Sequence, residues 1–340
     1  MKRRFPVWTW LLWLVLPFLL WFAWRQVPLE RVWESLQRIR PWQFGFLAAL
    51  DGLILLSFNS RWWLILRAQG YSLPYLWLTA YRLAGFAISY LTPGMQFGGE
   101  PLQAALLHRR HKLPAPVSIA SLTLDKLLEL LINFFFLTVV LLVALKNATF
   151  FPAMRVNLVW PLLGLMILPL AHLVMLRQGI RPATRLAAWL ASWLSNPKIV
   201  QVYKVVLEAE NRVGGLCKDH AGILGLSIVF SLAGWALAVF EHWFVYASLG
   251  LQLSISQLML LIAAMRLAFL TPLPGGLGAL EASQVLALQA LGLDPTIGVG
   301  AVLWIRLRDL TLAGAGAWLG AALSRSVPPV SLPEEVAVEI

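Results

Sequence analysis

The chain has little of what soluble enzymes and disulfide-stabilised proteins rely on. Charged residues make up only 13% of its 340 residues, whereas soluble domains average about 25%. Its single cysteine, Cys217, excludes an intrachain disulfide. The five histidines form no His-x-x-x-His pair and no Cys/His cluster, so neither a metal site nor a cofactor is predicted. The absence of a phosphate loop ending in Lys-Ser or Lys-Thr, and of a serine nucleophile elbow, argues against nucleotide binding and serine hydrolysis.

Hydrophobic sequence takes the place of these features. Hydrophobic residues make up 59% of the chain, and apolar runs of bilayer-spanning length recur from end to end. Many of the 17 tryptophans lie near the ends of these runs, at the headgroup level that amphipathic rings prefer. We therefore attribute the net charge of +11 to loops that face anionic lipid, and predict no nucleic-acid partner. The sequence predicts a multi-pass protein of the cell (inner) membrane.

Two similar segments interrupt the hydrophobic sequence, about 180 residues apart. Both read Leu-Thr-Pro, then glycines, then a glutamate, which is Glu100 in the first segment and Glu281 in the second. Pro and Gly break helices, and a lone carboxylate is costly in lipid. Paired broken helices in duplicated halves are typical of many transporters. The predicted helix-break residues are Thr92, Pro93, Gly98, Gly99, Thr271, Pro272, Pro274, Gly275, Gly276 and Gly278.

The hydrophobic pattern predicts an all-α polytopic membrane protein with about six full transmembrane helices and two re-entrant broken-helix pairs. The predicted full spans are 7–25, 43–66, 116–145, 158–176, 221–249 and 296–323, and the re-entrant pairs are 74–108 and 254–291. We expect a single membrane domain, 1–325, with repeat halves of about 43–145 and 221–323, followed by a short cytoplasmic tail, 326–340.

The distribution of Lys and Arg predicts the orientation of the chain. Basic residues in 2–4 and 108–112 and in the segment 177–220, which we expect to form interfacial helices, lie on the cytoplasmic side in this scheme. The connector 27–42 is the exception, since its arginines lie outside. Both termini are then cytoplasmic, and the two re-entrant pairs enter from opposite faces. The halves are therefore predicted to be inverted copies, as expected for alternating access.

Charged residues recur around both interruptions. Arg82-Leu83-Ala84 precedes the first and Arg266-Leu267-Ala268 the second, while Lys126-x-x-Glu129 follows the first and Arg306-x-x-Asp309 the second. We expect these cations and acids to converge on a central cavity, where the cations would pair with the carboxylates or with a lipid phosphate. The alternative is a set of structural ion pairs within each half.

The two glutamates that follow the glycines have two open interpretations. Glu100 and Glu281 each begin a half-helix, so each carboxylate can cap free amides, line the polar cavity, or do both. Glu241-His242 lies inside a predicted span, and an intramembrane ionisable pair is a functional candidate by default. An interfacial position for that pair is the alternative. Asp51, near the start of the second span, is a weaker candidate.

These same residues resemble the lysylphosphatidylglycerol synthase transmembrane-region family of flippase-like membrane proteins. The resemblance covers about residues 10 to 325 and rests on the two interruptions, on the basic 109–110 pair and on Arg306. One departure is Lys126, where an arginine is more usual in the family, so the charge is kept but the bidentate fork is lost. The best-known relatives add a soluble aminoacyl-transferase domain, which we expect to be absent. The resemblance therefore implies lipid translocation and not lipid synthesis.

The leading hypothesis is a lipid translocase that moves a phospholipid or another polar-headgroup lipid across the bacterial inner membrane, and not an enzyme. With no ATP site in the sequence, energy would come from a gradient or from downhill lipid flow. One alternative is a membrane-embedded lipid-modifying enzyme with Glu241-His242 or the two half-helix glutamates as acid and base. Another is a non-catalytic partner of a lipid-synthesis enzyme. The membrane lipid is the expected partner, with a homo-oligomer or a lipid-synthesis enzyme left open.

Overall fold

The computed structural model describes residues 30, 37, 40–92, 98–146, 159–193, 197–271 and 273–325. Its regular secondary structure in these ranges is entirely helical, which confirms the all-α prediction for this part of the chain. The predicted first span 7–25, the tail 326–340, and the predicted helix-break residues Pro93 and Pro272 lie outside the described residues.

Eleven α-helices and one 3-10 turn make up the described fold. In chain order they are α1 (Pro41–Ala68), α2 (Tyr75–Leu91), α3 (Glu100–His111), α4 (Ala115–Lys146), α5 (Val159–Arg177), α6 (Pro182–Trp193), α7 (Pro197–Asp219), α8 (Ala221–Ser248), α9 (Ile255–Phe269), the turn Pro274–Gly276, α10 (Ala279–Ala290) and α11 (Pro295–Arg325).

Helices α1–α4 and helices α8–α11 match in length and order. The first set has 28, 17, 12 and 32 residues, and the second has 28, 15, 12 and 31. Their first helices also end in the same turn. Gly70 and Gly250 have φ of 85° and 87°, and the next residues, Tyr71 and Leu251, donate their N–H groups back to Leu66 and Tyr246. Positive φ suits glycine because it has no Cβ.

The two sets interleave through two long helix pairs. Helix α1 packs along α8, and α2 packs along α11. Helices α2 and α11 approach so closely that a Cβ added at Gly316 would lie 2.1 Å from the Leu83 carbonyl oxygen. Small residues at such crossings allow backbones to come together in a membrane. The chain thus brings its N-terminal and C-terminal halves into one bundle.

Two described helices, α1 and α8, are long and apolar enough to cross a membrane by length and composition. Helices α5 and α6 would add a third span if the bent pair is counted as one, but they meet at 88°. Helix α9 is apolar but shorter. The predicted count of six full spans is thus not reached by this criterion within the described residues.

Both predicted interruptions separate one helix from the next. Helix α2 ends at Leu91 and α3 begins at Glu100, while α9 ends at Phe269 and α10 begins at Ala279. Thr92 and Thr271 bond back to the carbonyls of the helices that they end, each at 2.7 Å. The glycines then turn the chain through positive φ, at Gly98, Gly275, Gly276 and Gly278.

Helices α6 and α7 occupy the basic segment for which interfacial helices were predicted. Glu210 on α7 accepts the N–H groups of Ala183 and Thr184, both at 2.9 Å, and so caps the start of α6. Trp189 and Trp193 on α6 are exposed. Helix α6 runs nearly at right angles to α5.

Candidate functional site

A cavity of about 380 Å³ with both charged and apolar walls lies where the two sets of helices meet. Its walls include apolar side chains such as Phe58, Phe86, Trp235 and Phe269. Its charged lining comes from seven helices, α1–α4, α8, α9 and α11. The charged residues are Asp51, Arg61, Arg82, Glu100, Asp125, Lys126, Glu129, Glu241, Arg266, Arg308 and Asp309. So many ionisable groups inside an apolar bundle require partners or water.

The first group of charges, here called the Arg61 cluster, consists of Arg61, Arg82, Glu100, Asp125, Lys126 and Glu129. The Arg61 side chain is 2% exposed. Its Nε donates to Asp125 at 2.6 Å, its Nη2 to Glu129 at 3.3 Å, and its Nη1 to the Ser231 hydroxyl at 3.2 Å. Arg82 donates to the other Asp125 oxygen at 2.8 Å. These bonds join α1, α2, α4 and α8 around one buried carboxylate.

Lys126 connects the Arg61 cluster to the first interruption. Its Nζ lies 3.0 Å from Glu129 and 3.4 Å from Glu100. Glu100 in turn accepts the N–H of Gly98 at 3.0 Å. The Glu100 carboxylate therefore accepts a free backbone N–H of the interruption and also lines the cavity. The capping role and the cavity role of this residue are thus compatible.

The second group, here called the Arg308 cluster, consists of Asp51, Glu241, Arg308 and Asp309. Arg308 Nη1 lies 2.8 Å from Glu241 and 3.5 Å from Asp51, and its Nε donates to Asp309 at 3.0 Å. The second Glu241 oxygen, Oε2, is buried without a hydrogen-bond partner among the described residues. One guanidinium thus holds carboxylates from α1, α8 and α11.

Arg266 lines the cavity between these clusters without a carboxylate of its own. Within the described ranges no acidic oxygen comes within ion-pair distance of it, and its buried Nε has no hydrogen-bond partner there. Its guanidinium instead lies over the Trp235 ring, 4.3 Å from the centroid. A cation–π contact partly offsets the cost of burying a cation but leaves its N–H donors available.

Arg306 and Glu281 form a separate ion pair at the second interruption, and neither is among the residues that line the cavity. Arg306 Nε and Nη2 donate to the two Glu281 oxygens at 3.0 and 3.2 Å. The same guanidinium donates to the Gly275 and Gly276 carbonyls and, at 3.1 Å, to the Tyr90 hydroxyl. The expectation that Arg306 and Glu281 line the same cavity as the other charges is therefore corrected, since the guanidinium is occupied by the Glu281 carboxylate and by buried backbone carbonyls of the interruption.

The remaining sequence candidates take different positions. The cavity is lined by Arg82, Glu100, Lys126, Glu129, Arg266 and Asp309, and also by Glu241 and His242.

The two Arg-Leu-Ala motifs are not in equivalent places, since Arg82 lies nine residues before Leu91 and Arg266 four residues before Leu270. Lys126 and Arg306 are equivalent, because each pairs with the glutamate of the preceding short helix.

The sequence analysis did not identify Arg61 or Arg308. Each missed arginine holds at least two carboxylates in the structure. The available signal was their position, because each is an ionisable residue inside a predicted span.

The chain matches the lysylphosphatidylglycerol synthase TM region family over residues 10–316. It is 23% identical over 292 residues to a UPF0104 membrane protein of Methanothermobacter thermautotrophicus, which covers 83% of this chain and 85% of the relative. It is 20% identical over 289 residues to a UPF0104 membrane protein of Methanocaldococcus jannaschii, covering 83% and 84%. No solved structure matches. The family match extends over most of the sequence, including both interruptions and both charge clusters, and the chain therefore belongs to the lysylphosphatidylglycerol synthase TM region family.

Proposed function

We propose that this protein is a lipid translocase. The observation that carries the proposal is a cavity lined by eleven charged side chains inside a bundle whose surface exposes large apolar side chains such as Leu53, Leu168 and Leu232. A polar headgroup enters the cavity and finds charge and hydrogen bonds there, while the acyl chains stay in the bilayer. The charged lining replaces the water that the headgroup leaves behind.

Arg266 is the proposed anchor for the headgroup phosphate. The other cavity arginines already hold carboxylates, so a phosphate would have to displace an acid to reach them. Arg266 has no such competitor among the described residues, and its guanidinium geometry suits two phosphate oxygens. An anionic or zwitterionic phospholipid is therefore the proposed substrate class.

The inverted repeat and the six spans are part of the same proposal. Matched helix lengths, the shared turn after α1 and α8, and the equivalent pairs of Lys126 with Glu100 and Arg306 with Glu281 support two related halves. Helices α4 and α11, with 32 and 31 residues, exceed the roughly 20 residues that a span needs. With α1, α5, α8 and the segment 7–25, they give six spans in one domain, 1–325.

The proposed orientation puts both termini in the cytoplasm of a cell whose inner membrane holds the protein. Cysteine labelling from each side of the membrane tests this orientation. Burial raises the pKa of the Cys217 thiol, which lowers its reactivity. The substitution Cys217→Ser removes the labelling that remains at this native cysteine. In that background Arg109→Cys should be labelled only from the cytoplasmic side, and Gln252→Cys only from the outside. Labelling of both from one face contradicts the inverted scheme.

The enzyme alternative receives no support from the contacts of His242. Its Nδ1 bonds the Ala238 carbonyl at 2.6 Å, and its Nε2 lies 3.2 Å from the Met265 sulfur. Both ring nitrogens are thus directed at structural neighbours, while Glu241 is directed at Arg308. This arrangement differs from that of a general base held by a carboxylate.

The test is lipid movement in proteoliposomes, measured by chemical quenching of a fluorescent phosphatidylglycerol on one leaflet. Arg266→Leu should lower the rate about tenfold or more, because it removes a charge-assisted bond to the phosphate. It should still fold, since no carboxylate among the described residues lies within ion-pair distance of Arg266. Arg185→Leu is the matched control, an exposed arginine on α6. A wild-type protein that moves no lipid, or an Arg266→Leu variant that moves it at the wild-type rate, contradicts the proposal.

A further inference from the structure

The two ends of the cavity differ in their balance of charge. The Arg61 cluster contains three cations and three carboxylates, and each carboxylate lies within ion-pair distance of a cation. The net charge of this end is therefore zero when all three carboxylates are ionised. No additional ion is needed to make its burial tolerable.

The other end carries one carboxylate too many. Asp51, Glu241 and Asp309 surround the single Arg308 guanidinium, and Arg266 is the second cation that faces them. Three negative charges then stand against two positive ones. His242 does not change this count when neutral, and Glu129, which faces this space from α4, is already paired with Lys126 and Arg61.

Burial makes that excess costly. The side chains of Asp51, Glu241 and Asp309 are 11%, 2% and 7% exposed. An uncompensated carboxylate in such a place tends to bind a proton rather than remain charged. The cluster therefore has both a reason to bind a proton and a cavity through which that proton can arrive.

The geometry points to Asp51 and Glu241 as the pair that holds it. Both lie within ion-pair distance of the same Arg308 nitrogen, Nη1, Glu241 at 2.8 Å and Asp51 at 3.5 Å, so the two carboxylates are held close together, as in pairs that share a proton. Glu241 Oε2 has no hydrogen-bond partner among the described residues although it is buried. A proton on this pair supplies the missing donor. Asp309 is the poorer site because it bonds a different nitrogen, Nε.

We propose that Asp51 and Glu241 share one exchangeable proton and that this proton is the coupling ion for movement of an anionic lipid, which rests on the translocase function proposed above. The proton comes from the aqueous phase, adds to one carboxylate oxygen and leaves it as a neutral acid. A phosphate bound at Arg266 cancels that cation, so the cluster then carries a larger negative excess. Lipid and proton consequently strengthen each other's binding, and the linkage is reciprocal.

The test uses proteoliposomes with fluorescent phosphatidylglycerol and a pH-sensitive dye inside. Wild-type protein should move lipid faster under an imposed pH gradient and move protons with it. Asp51→Asn keeps the size of the side chain but restores charge balance. Its gradient-driven rate should fall about tenfold, within the usual range for coupled sites. Asp219→Asn, at an exposed aspartate on α7, is the control and should behave as wild type.

Infrared difference spectroscopy on the full protein tests proton binding apart from transport. The carbonyl band of a protonated carboxylic acid should be present in wild type and Asp219→Asn, and absent in both Asp51→Asn and Glu241→Gln. A wild type without the band, or variants that keep it, overturn the proposal. Wild-type lipid movement that ignores the pH gradient overturns proton coupling but leaves the translocase function standing. Failure of all lipid movement overturns both the translocase and the coupling.

Discussion

The Arg61 and Arg308 clusters each link the first and last helices of one half with the charges exchanged, and Asp51 of α1 adds a further acid to the second cluster. Arg61 on α1 and Glu241 on α8 are 180 residues apart. In the first half the cation lies on the first helix and bonds carboxylates on α4, whereas in the second half the acid lies on the first helix and bonds an arginine on α11. The charges of the Arg61 cluster balance, whereas the end of the cavity at the Arg308 cluster has one carboxylate in excess.

The ion pairs at the two interruptions differ in exposure and in the type of cation. Lys126 and Glu100 have side chains 23% and 31% exposed, while Arg306 and Glu281 are 10% and 9% exposed. Lysine presents a point charge, but arginine presents a fork that also reaches the carbonyls of Gly275 and Gly276. Within the described residues, the second ion pair is therefore more buried than the first, and its cation also bonds backbone carbonyls. The comparison teaches that equivalent ion pairs in the two halves can differ in exposure and in the geometry of the cation.

Breaking the balanced end should have the largest effect. Arg61→Leu leaves Asp125 and Glu129 with fewer cations in a buried place, and removal of one member of a buried pair costs about 3–5 kcal/mol. We expect a large loss of folded protein in detergent, measured by thermal unfolding. Arg67→Leu, an exposed arginine on the same helix, is the matched control. An Arg61→Leu protein as stable as this control would contradict the structural role of Arg61.

Loosening the second interruption should have the next largest effect. Arg306→Leu removes the partner of Glu281 and three further bonds, so lipid movement should be abolished and the melting temperature lowered. Arg306→Lys keeps the charge but cannot serve both the carboxylate and the carbonyls, and should retain a weakened rate. Rates for wild type, the lysine variant and the leucine variant are measured side by side. If lysine performs as well as arginine, the carbonyl bonds are unimportant.

The smallest effect is expected from making the first interruption resemble the second. Lys126→Arg restores the residue that is more usual in the family and keeps the ion pairs with Glu100 and Glu129. Stability should change by less than about 1 kcal/mol, as for half-exposed ion pairs. If the added fork engages the backbone of this interruption, lipid movement should slow while stability rises. A severe loss of stability instead would mean that the site has no room for a guanidinium.

The helix ends at the interruptions were predictable from sequence because Pro, Gly and Thr act locally. The pairing of Lys126 with Glu100 was also within reach, because the charge pattern that recurs around both interruptions includes both residues. Arg61 was not, since its partners Asp125 and Ser231 are 64 and 170 residues away. Matching like residues between the halves hid Arg61 further, because its counterpart, Glu241, has the opposite charge.

The burial of Arg61 also constrains how the chain enters the membrane during synthesis. Helix α1 is the less apolar of the two clear candidate spans. Arg61 lies seven residues before its end, where an arginine costs less than the roughly 2.5–3.5 kcal/mol of a position at the centre of a lone helix. Asp125, which offsets that cost, is synthesised 64 residues later. Helix α1 would therefore gain its full stability in the membrane only after α4 has been made, because only then does Arg61 have its acidic partner.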